Sequence, residues 1–414
     1  MKFQFPKGFY WGAATSAHQV EGGNHNDWSE WEKENAERLA KEAEKKFSHL
    51  KNWQEIKEQA QNPQNYISGR ACDHYNRFEE DFDIAKSLSH NVHRFSIEWS
   101  RIEPEEGKFN EIEIEHYRNV IKALRGRDIE PFVTLWHWTI PIWMRDKGGV
   151  INKYFPNYFS RYAERMAQEL PDVKFWITLN EPTAVISMAY GIGEWPPQRR
   201  NPLAALKVYK TLARSHNDAF KKIHTVSPKA NVGFVNILSF IEPYKKNSIL
   251  DKLTARITKY FSNEKFLNLT KWNHDFLAVD YYFHNRLQFP GKMKNENKKV
   301  SDMGWELYPE GIYYVLKDLK KCEKPIYITE NGLADAGDIH REWFIKETLK
   351  NVYKAIQEGV DVRGYFYWSL LDNFEWDKGF WPRFGLVEID YKTMERKIRP
   401  SAYEYAKIIK NNGF

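Results

Sequence analysis

Two glutamates each close a short apolar run of the kind that forms a buried β-strand. Glu181 stands in Trp176-Ile-Thr-Leu-Asn-Glu-Pro182, and Glu330 stands in Pro325-Ile-Tyr-Ile-Thr-Glu-Asn-Gly332. Cleavage of a glycosidic bond requires two such carboxyl groups, one protonated to assist the leaving group and one ionised to attack or to activate water. The pair makes glycoside hydrolysis the first hypothesis for this chain.

The residues around the two glutamates favour this hypothesis. Asn180 and Pro182 flank Glu181, and the turn-forming pair Asn-Gly follows Glu330. A single glutamate at a strand end is usually solvated or caps a helix. If both side chains face one pocket of low dielectric constant, their pKa values separate, so that one stays protonated while the other is ionised.

Three further polar side chains lie within or just after strand-like segments. Arg94, in His93-Arg-Phe-Ser-Ile97, would lie in a barrel mouth, where a buried guanidinium requires a carboxylate partner. A nucleophilic glutamate would suit it, although a structural ion pair is the alternative. His137, within Trp136–Trp138, is either a satisfied core residue or a donor to a hydroxyl. Gln19 carries an amide that both donates and accepts.

A cluster of aromatic residues near the C-terminus surrounds another acidic residue. Trp368 and Trp376 could supply an apolar platform and an indole N–H, although a single Trp is more often a core residue. Glu375 lies between them in the sequence and could accept hydrogen bonds from two hydroxyls. A glutamate among aromatic residues requires a partner, because burying it alone is costly.

Strand-like runs alternate with amphipathic helical stretches along the whole chain. Eight alternating units predict an α/β fold, a single (β/α)₈ TIM barrel with inserted βα loops and its site at the C-terminal rim of the strands. The predicted strands are Phe9–Thr15, His93–Glu98, Pro131–His137, Lys174–Asn180, Asn231–Ile237, Phe276–Tyr282, Pro325–Glu330 and Arg363–Ser369.

Apolar positions at three- and four-residue spacing predict the helices. The predicted helices are Arg77–Ser89, Glu111–Leu124, Tyr158–Leu170, Leu203–Thr225, Pro309–Lys321 and Trp343–Glu358. Two insertions, Asp27–Cys72 and Ser239–Trp272, are predicted to carry helices near Asn35–Phe47 and Ile249–Phe261 and to shape the mouth of the pocket. We expect residues 1–414 to form one catalytic domain.

Composition excludes several classes of function. The charge of +6 arises from 62 basic and 56 acidic residues, so Lys292–Lys299 is interpreted as a solvated loop and not as a nucleic-acid site. Cys72 and Cys322 have neither disulfide nor metal spacing. No run approaches the ~18 apolar residues of a membrane span, and the N-terminus lacks an apolar leader. We expect a cytoplasmic protein with no cofactor, metal, nucleic-acid or membrane partner.

Three segments resemble the signatures of the family 1 β-glycosidases. Phe9-Tyr-Trp-Gly-Ala-Ala-Thr-Ser-Ala-His-Gln-Val-Glu-Gly-Gly23 is similar to their N-terminal signature, Thr178–Pro182 to their acid/base motif and Ile328–Gly332 to their nucleophile motif. The resemblance extends from about Phe5 to Asn411. It implies a retaining clan A glycosidase with a (β/α)₈ barrel, which acts on β-D-glucosides, galactosides or fucosides, presented as β-linked saccharides or aryl and alkyl β-glycosides.

The resemblance also implies roles for individual residues. Glu181 would be the acid/base and Glu330 the nucleophile, with carboxyl groups about 5–5.5 Å apart. Asn180 would contact the sugar 2-hydroxyl, and Tyr282 would donate to the nucleophile, near Arg94. The residues implied at the sugar are Gln19, His137, Trp138, Asn180, Glu375 and Trp376, with Trp368 stacked beneath the ring and Trp305 on the aglycone side.

This chain departs from the family pattern at two positions. Ala278 and Asp280 stand where the family usually has Gly and Asn. Because side chains alternate along a strand, Asp280 and Tyr282 share a face, which predicts an extra carboxylate near the site and an altered pH optimum. The chain is also short for the family, which predicts trimmed loops and a more open aglycone channel.

Three alternatives remain beside hydrolysis of glucosides. Relatives that only bind sugar have lost a catalytic glutamate, whereas this chain keeps both, with Arg94 and Tyr282. Relatives that act on 6-phosphoglycosides bind phosphate with Ser, Lys and Tyr residues where this chain has Glu375, which would repel a phosphate. Transglycosylation uses the same residues as hydrolysis and stays open. The sugar, the natural aglycone and the oligomeric state stay open as well.

Overall fold

The computed structural model describes residues 3–270, 273–294 and 296–414. The end of the second predicted insertion, Trp272, therefore lies outside the described residues. The strands are β1 Tyr10–Ala14, β2 Val92–Ser96, β3 Glu130–Trp136, β4 Phe175–Leu179, β5 Asn231–Gly233, β6 Val235–Ile237, β7 Phe240–Pro243, β8 Leu277–Asp280, β9 His284–Gln288, β10 Lys292–Met293, β11 Ile326–Asn331, β12 Val362–Trp368, β13 Val387–Ile389 and β14 Arg396–Ile398.

Nine of these strands form one sheet in the order β5-β4-β3-β2-β1-β12-β11-β8-β6. Every pairing within this sheet is parallel. The two edge strands, β5 and β6, are two halves of one predicted strand, interrupted at Phe234. The first half pairs with β4 and the second with β8, so the sheet curves into a barrel of eight positions. The predicted (β/α)₈ fold is confirmed.

Apolar side chains fill the barrel interior below the rim. The inner layer contains Val92, Phe132, Phe175, Val235 and Tyr327, and the rings of Phe132 and Phe175 are stacked with centroids 4.1 Å apart. A larger cluster lies between the strands and the surrounding helices. Strands that are buried on both faces appear in the sequence as continuous apolar runs, which is why their positions could be predicted.

The helices surround the barrel. They are α1 Ala17–Val20, α2 Asp27–Phe47, α3 Trp53–Ala60, α4 His74–Ser87, α5 Trp99–Ile102, α6 Glu111–Arg125, α7 Ile142–Asp146, α8 Phe155–Glu169, α9 Pro182–Val185, α10 Pro202–Val226, α11 Ile249–Lys259, α12 Lys265–Leu269, α13 Gly311–Leu319, α14 Arg341–Gln357 and α15 Pro400–Asn411. Short 3₁₀ turns cover Pro63–Tyr66, Gly149–Ile151, Lys320–Cys322 and Trp376–Lys378, and π turns cover Ile186–Ile192 and Tyr260–Glu264.

The six predicted barrel helices are present, with ends shifted by a few residues. Helix α2 begins earlier than the predicted Asn35, because Asn26 and Ser29 cap each other's backbone N–H groups and fix the helix start at Asp27. Among the described residues, no helix is both long and apolar enough to cross a membrane.

Several short strands outside the barrel were not predicted. Strands β7, β9 and β10 form a small separate sheet, in which β7 and β9 are parallel and β9 and β10 are antiparallel. Strands β13 and β14 form an antiparallel pair beyond the last barrel strand. These segments are short and partly exposed, so their sequences lack the continuous apolar pattern that marks the barrel strands.

Candidate active site

The carboxyl ends of the barrel strands surround a cavity of about 600 Å³. Glu330 is delivered to it by β11, and Glu181 follows the end of β4. Both glutamates line the cavity and are only 4% exposed. The barrel therefore brings the two predicted glutamates to one rim, as expected for parallel strands that share an orientation.

Each carboxyl oxygen of Glu330 has its own donor. The Arg94 Nη1 donates to Oε1 at 2.5 Å, and the Tyr282 hydroxyl donates to Oε2 at 2.9 Å. Burial, and then the charge of Glu330, raise the pKa of Tyr282 well above its ordinary value, so its hydroxyl keeps the proton that it donates. Two donors, one of them charged, favour an ionised Glu330.

Arg94 also fixes the orientation of Asn180. Its Nη2 donates to Asn180 Oδ1 at 2.5 Å, and its Nε donates to Thr134 Oγ1 at 3.1 Å. Because Oδ1 faces the arginine, the Asn180 amide nitrogen faces His137, 3.2 Å from its Nε2. Burial and the positive charge of Arg94 lower the pKa of His137 well below its ordinary value, so the imidazole is neutral.

Glu181 adopts a left-handed backbone conformation, with φ of 39°. Its N–H donates to the carbonyl of Val235 on β6 at 3.1 Å, and Pro182 begins α9 directly after it. The chain therefore leaves the strand sharply, with Glu181 at the turn. A left-handed conformation is strained for a residue with a side chain, and such strain clusters at functional sites. No pattern in the sequence indicated it.

The electrostatic surroundings of the two glutamates differ. Burial, and then the negative charge of Glu330, raise the pKa of Glu181 well above its ordinary value. Burial also raises the pKa of Glu330, but Arg94 and Tyr282 both oppose that rise. The proton is consequently held more firmly at Glu181, which lacks a salt bridge among the described residues.

A third buried carboxyl group, Asp280, completes the cluster. One carboxyl oxygen from each of Glu181, Asp280 and Glu330 lies within 4.8 Å of the others. The expected extra acidic residue is thus present at the site. The positive charge facing the cluster is the guanidinium of Arg94, whose Nη1 is 3.7 Å from Asp280.

Gln19 and Glu375 form another part of the cavity wall. Gln19 Nε2 donates to the carbonyl of Phe374 at 2.9 Å and to Glu375 Oε2 at 3.3 Å, while Ser16 donates to Gln19 Oε1 at 2.7 Å. Burial raises the pKa of Glu375 to about 8, despite the opposing charge of Lys378. This wall therefore presents a carboxyl group that titrates near neutral pH.

Aromatic rings form the remaining walls. The rings of Trp138 and Trp376 are 4.6 Å apart, and both residues have left-handed backbones, with φ of 77° and 50°. The Trp138 indole N–H donates to the Asn180 carbonyl at 3.1 Å, so this donor is already engaged with the backbone. Trp368 lines the cavity, as does Trp305, whose ring is 5.9 Å from that of Tyr282.

Residues that no sequence motif had indicated support these walls. The His18 ring stacks on Trp376 at 5.3 Å, and His18 Nε2 lies 2.7 Å from a carboxyl oxygen of Glu32. Trp195 donates to Asp377 at 2.9 Å. The sequence contained one indication that Glu32 is buried. It lies four residues after Trp28 and therefore shares the apolar face of α2.

Gly332, which was predicted to form a turn with Asn331, has a different role in the structure. A side chain at Gly332 would place its Cβ 1.9 Å from the carbonyl oxygen of Trp368. The glycine therefore permits close approach of two backbones at the ends of β11 and β12. This packing holds the Glu330 segment against the segment that carries Trp368.

Comparison with known proteins agrees with the geometry. The sequence model described as Glycosyl hydrolase family 1 matches residues 1–281 and 282–414. Beta-glucosidase A of Thermotoga maritima is 33% identical over 99% of this chain and 98% of that protein. Their alignment extends over 459 positions, more than the 414 residues of this chain, as expected if this chain lacks loop residues of its relative.

Solved structures match over nearly the whole length. The beta-glycosidase from Pyrococcus horikoshii is 37% identical with a TM-score of 0.88, covering 100% of this chain and 96% of that chain. The beta-glucosidase from Thermotoga maritima in complex with glucoimidazole is 32% identical with a TM-score of 0.87, covering 99% and 100%. This chain is therefore a β-glucosidase-like enzyme that hydrolyses β-glycosides, and it belongs to glycosyl hydrolase family 1.

Proposed function

We propose that this chain is a retaining exo-β-glycosidase that hydrolyses β-D-glucosides and related galactosides and fucosides through a covalent glycosyl-enzyme. The observation that carries the proposal is the arrangement of Glu181 and Glu330. Their nearest carboxyl oxygens lie within 4.8 Å. Inverting enzymes need roughly 6.5–9.5 Å between the carboxyl groups to admit a water, so the spacing favours direct attack by a carboxylate.

In the first step, Glu330 is the nucleophile. Arg94 and Tyr282 hold its carboxylate in the ionised form, and one oxygen attacks the anomeric carbon of the β-glycoside. Glu181 gives its proton to the glycosidic oxygen, and the C–O bond to the leaving group breaks. The products of this step are the free aglycone and an ester between the sugar and Glu330.

In the second step, Glu181 acts as the base. Having lost its proton, its carboxylate removes a proton from water, and the water oxygen attacks the anomeric carbon. The ester bond to Glu330 breaks and the carboxylate is restored. Two successive inversions return the β configuration. Asn180, whose orientation is fixed by Arg94, would bind the 2-hydroxyl in both transition states.

The walls of the cavity suggest how substrate is bound. Gln19, Glu375 and the neutral His137 offer donors and acceptors for sugar hydroxyls, with Trp138 and Trp376 beside them and Trp368 as a stacking surface. Trp305 would contact the aglycone of a β-linked saccharide or an aryl or alkyl β-glycoside. We assign these residues, with both glutamates, to one catalytic domain of residues 1–414.

Transglycosylation is the alternative for the second step, because an alcohol can replace water without any change of residues. A sugar-binding protein without turnover is less favoured, because both glutamates and their partners are present in one cavity. Turnover of a nitrophenyl β-glycoside distinguishes an enzyme from a sugar-binding protein. Steady release of nitrophenol supports the enzyme, and binding without release supports the sugar-binding relative.

Substitution of Tyr282 tests how Glu330 is kept ionised. In Tyr282→Phe, Glu330 Oε2 loses its donor, so the pKa of Glu330 rises further. We expect kcat/KM to fall by about 10²–10³-fold, the usual effect of losing one positioned donor. Because Glu330 must be ionised to attack, the acidic limb of the pH profile should move to higher pH.

The matched control for this substitution is Tyr313→Phe, which removes a hydroxyl that donates at 2.9 Å to Glu358 on the surface. The control should leave both kcat/KM and the acidic limb unchanged. If Tyr282→Phe behaves like this control, Tyr282 has no role at the nucleophile.

Titration of Glu375 tests its assignment to the sugar. Below pH 8 the Glu375 carboxyl group is mostly protonated in the free enzyme, since its pKa is about 8. Sugar hydroxyls that donate to it favour the ionised form, so binding releases a proton. Affinity for glucose should therefore rise by up to about tenfold per pH unit as pH increases towards 8, and then level off.

Calorimetry of glucose binding to the wild type and to Glu375→Gln measures this effect. Glu375→Gln should bind glucose more weakly than the wild type, and the rise in affinity with pH should be lost. Equal pH dependence in both proteins would place Glu375 outside the sugar site. A parallel panel of nitrophenyl β-glucoside, galactoside, fucoside and mannoside determines which sugar is preferred.

A further inference from the structure

Asp280 is a buried carboxyl group for which the proposed mechanism has no use. It ends β8 and has no exposed surface. Thr329 Oγ1 donates to its Oδ1 at 2.7 Å, but no group among the described residues donates a hydrogen bond to its Oδ2. An ionised carboxylate at this position would leave a buried charge with one oxygen unsatisfied, which is costly.

The groups that face Asp280 make its ionisation more difficult. Glu330 on β11 and Glu181 beyond β4 place carboxyl oxygens within 4.8 Å, and the nearby Tyr282 is neutral. On the other side β6, which pairs with β8, is Val-Asn-Ile and has no ionisable group. The only cation facing Asp280 among the described residues is Arg94, whose Nη1 is closer to Glu330, at 2.5 Å, than to Asp280, at 3.7 Å.

We propose that Asp280 is protonated in the resting enzyme and that its O–H donates to whichever of the two glutamates is ionised. This proposal rests on the roles proposed for Glu181 and Glu330. A carboxyl oxygen of each glutamate lies within 4.8 Å of Asp280. Two carboxyl groups that approach to hydrogen-bond distance can share a hydrogen bond only if one of them is protonated. Asp280 is thus a positioning residue that acts through the glutamates.

The negative charge changes position during the proposed reaction. Before the first step it is on Glu330, and Asp280 supports that carboxylate together with Arg94 and Tyr282. In the glycosyl-enzyme, Glu330 is a neutral ester and Glu181 has lost its proton, so the charge is on Glu181. Rotation of the Asp280 O–H allows it to donate to Glu181 instead of Glu330. No covalent bond of Asp280 breaks, and its proton is retained throughout.

The electrostatics agree with this geometry. Burial, and then the charge of Glu330, raise the pKa of Asp280 well above its ordinary value, with Arg94 opposing the rise. The active form therefore holds two protons, one on Glu181 and one on Asp280, beside an ionised Glu330. Since a rise in pH removes protons, loss of either one should reduce the rate on the alkaline side of the profile.

Infrared difference spectroscopy tests the protonation directly. The spectrum of Asp280→Asn, subtracted from that of the wild type near neutral pH, should show loss of one carboxylic-acid C=O band. The control is Asp251→Asn, because Asp251 accepts from the N–H groups of Lys245 and Phe289 and its pKa is lowered, chiefly by the Phe289 N–H. The control should lose only a carboxylate band.

The pH profile tests whether this proton matters to the reaction. If both protons are needed, log(kcat/KM) of the wild type should fall on the alkaline side with a limiting slope of about −2, and that of Asp280→Asn with about −1. Absence of the acid band, or a wild-type slope of about −1, would overturn the proposal.

If Asp280→Asn does not fold, the alkaline slope of the wild-type pH profile still tests the proposal, because that measurement requires no variant. The roles of the glutamates are tested by their own variants, so a failure at Asp280 is distinguishable from a failure of the proposed mechanism.

Discussion

Glu330→Gln should abolish turnover of every β-glycoside, with kcat lowered on the order of 10⁶-fold, as when an enzyme loses its covalent nucleophile. The amide cannot attack the anomeric carbon, and good leaving groups should not restore the rate. Gln has nearly the shape of Glu, and its carbonyl oxygen still accepts from Arg94, so the fold should be kept. Steady-state release of dinitrophenol measures the turnover, and thermal unfolding measures whether the fold is kept.

The matched control for Glu330→Gln is Glu358→Gln. Glu358 also accepts from a tyrosine hydroxyl and a cation, Tyr313 and Lys317, but it lies on the surface. Its replacement should leave kcat unchanged. An independent readout is mass spectrometry of wild-type enzyme treated with a 2-deoxy-2-fluoro-β-glucoside that carries a good leaving group. The sugar should be found on Glu330, and a label on Glu181 would reverse the assignments.

Glu181→Ala should show a different pattern, because it removes an acid and a base but leaves the nucleophile. With dinitrophenolate as the leaving group, the first step needs no acid, so the glycosyl-enzyme should still form. The second step then stalls without a base, and turnover should fall by about 10²–10⁴-fold. Rapid-mixing kinetics should therefore show a burst of dinitrophenol followed by slow release.

The products formed with azide distinguish the roles of the two glutamates. Azide attacks without help from a base, so it should restore the rate of Glu181→Ala and give the β-glycosyl azide. The same anion with Glu330→Ala should give the α-azide, since only one inversion takes place. An α-azide from Glu181→Ala, or a β-azide from Glu330→Ala, would show that the proposed roles are reversed or wrong.

The sequence by itself determined the barrel and the glutamates that it presents. Eight apolar runs were visible because barrel strands are buried on both faces, and such runs persist in the sequence whatever their neighbours are. The segment Asn-Glu-Pro at 180–182 and the segment Glu-Asn-Gly at 330–332 follow two of these runs. Since parallel strands end at one rim, their convergence could be predicted.

Strand ends were less predictable than strand positions. The predicted strand Asn231–Ile237 is interrupted at Phe234, because its two halves pair with different neighbours to close the barrel. The start of α2 at Asp27 depends on the reciprocal cap formed by Asn26 and Ser29. Both features depend on hydrogen bonds between particular groups, and hydrophobic periodicity does not record them.

Only the tertiary structure decided the electrostatics of the site. Arg94 donates to both Glu330 and Asn180, which lie 236 and 86 residues away in the chain. The left-handed turn at Glu181 is maintained by Val235 of β6. A proton is assigned to Asp280 because its carboxyl group lies close to those of Glu181 and Glu330, with one guanidinium beside all three. A pKa is set by everything around a group, so the sequence supplied the carboxyl groups but not their protonation.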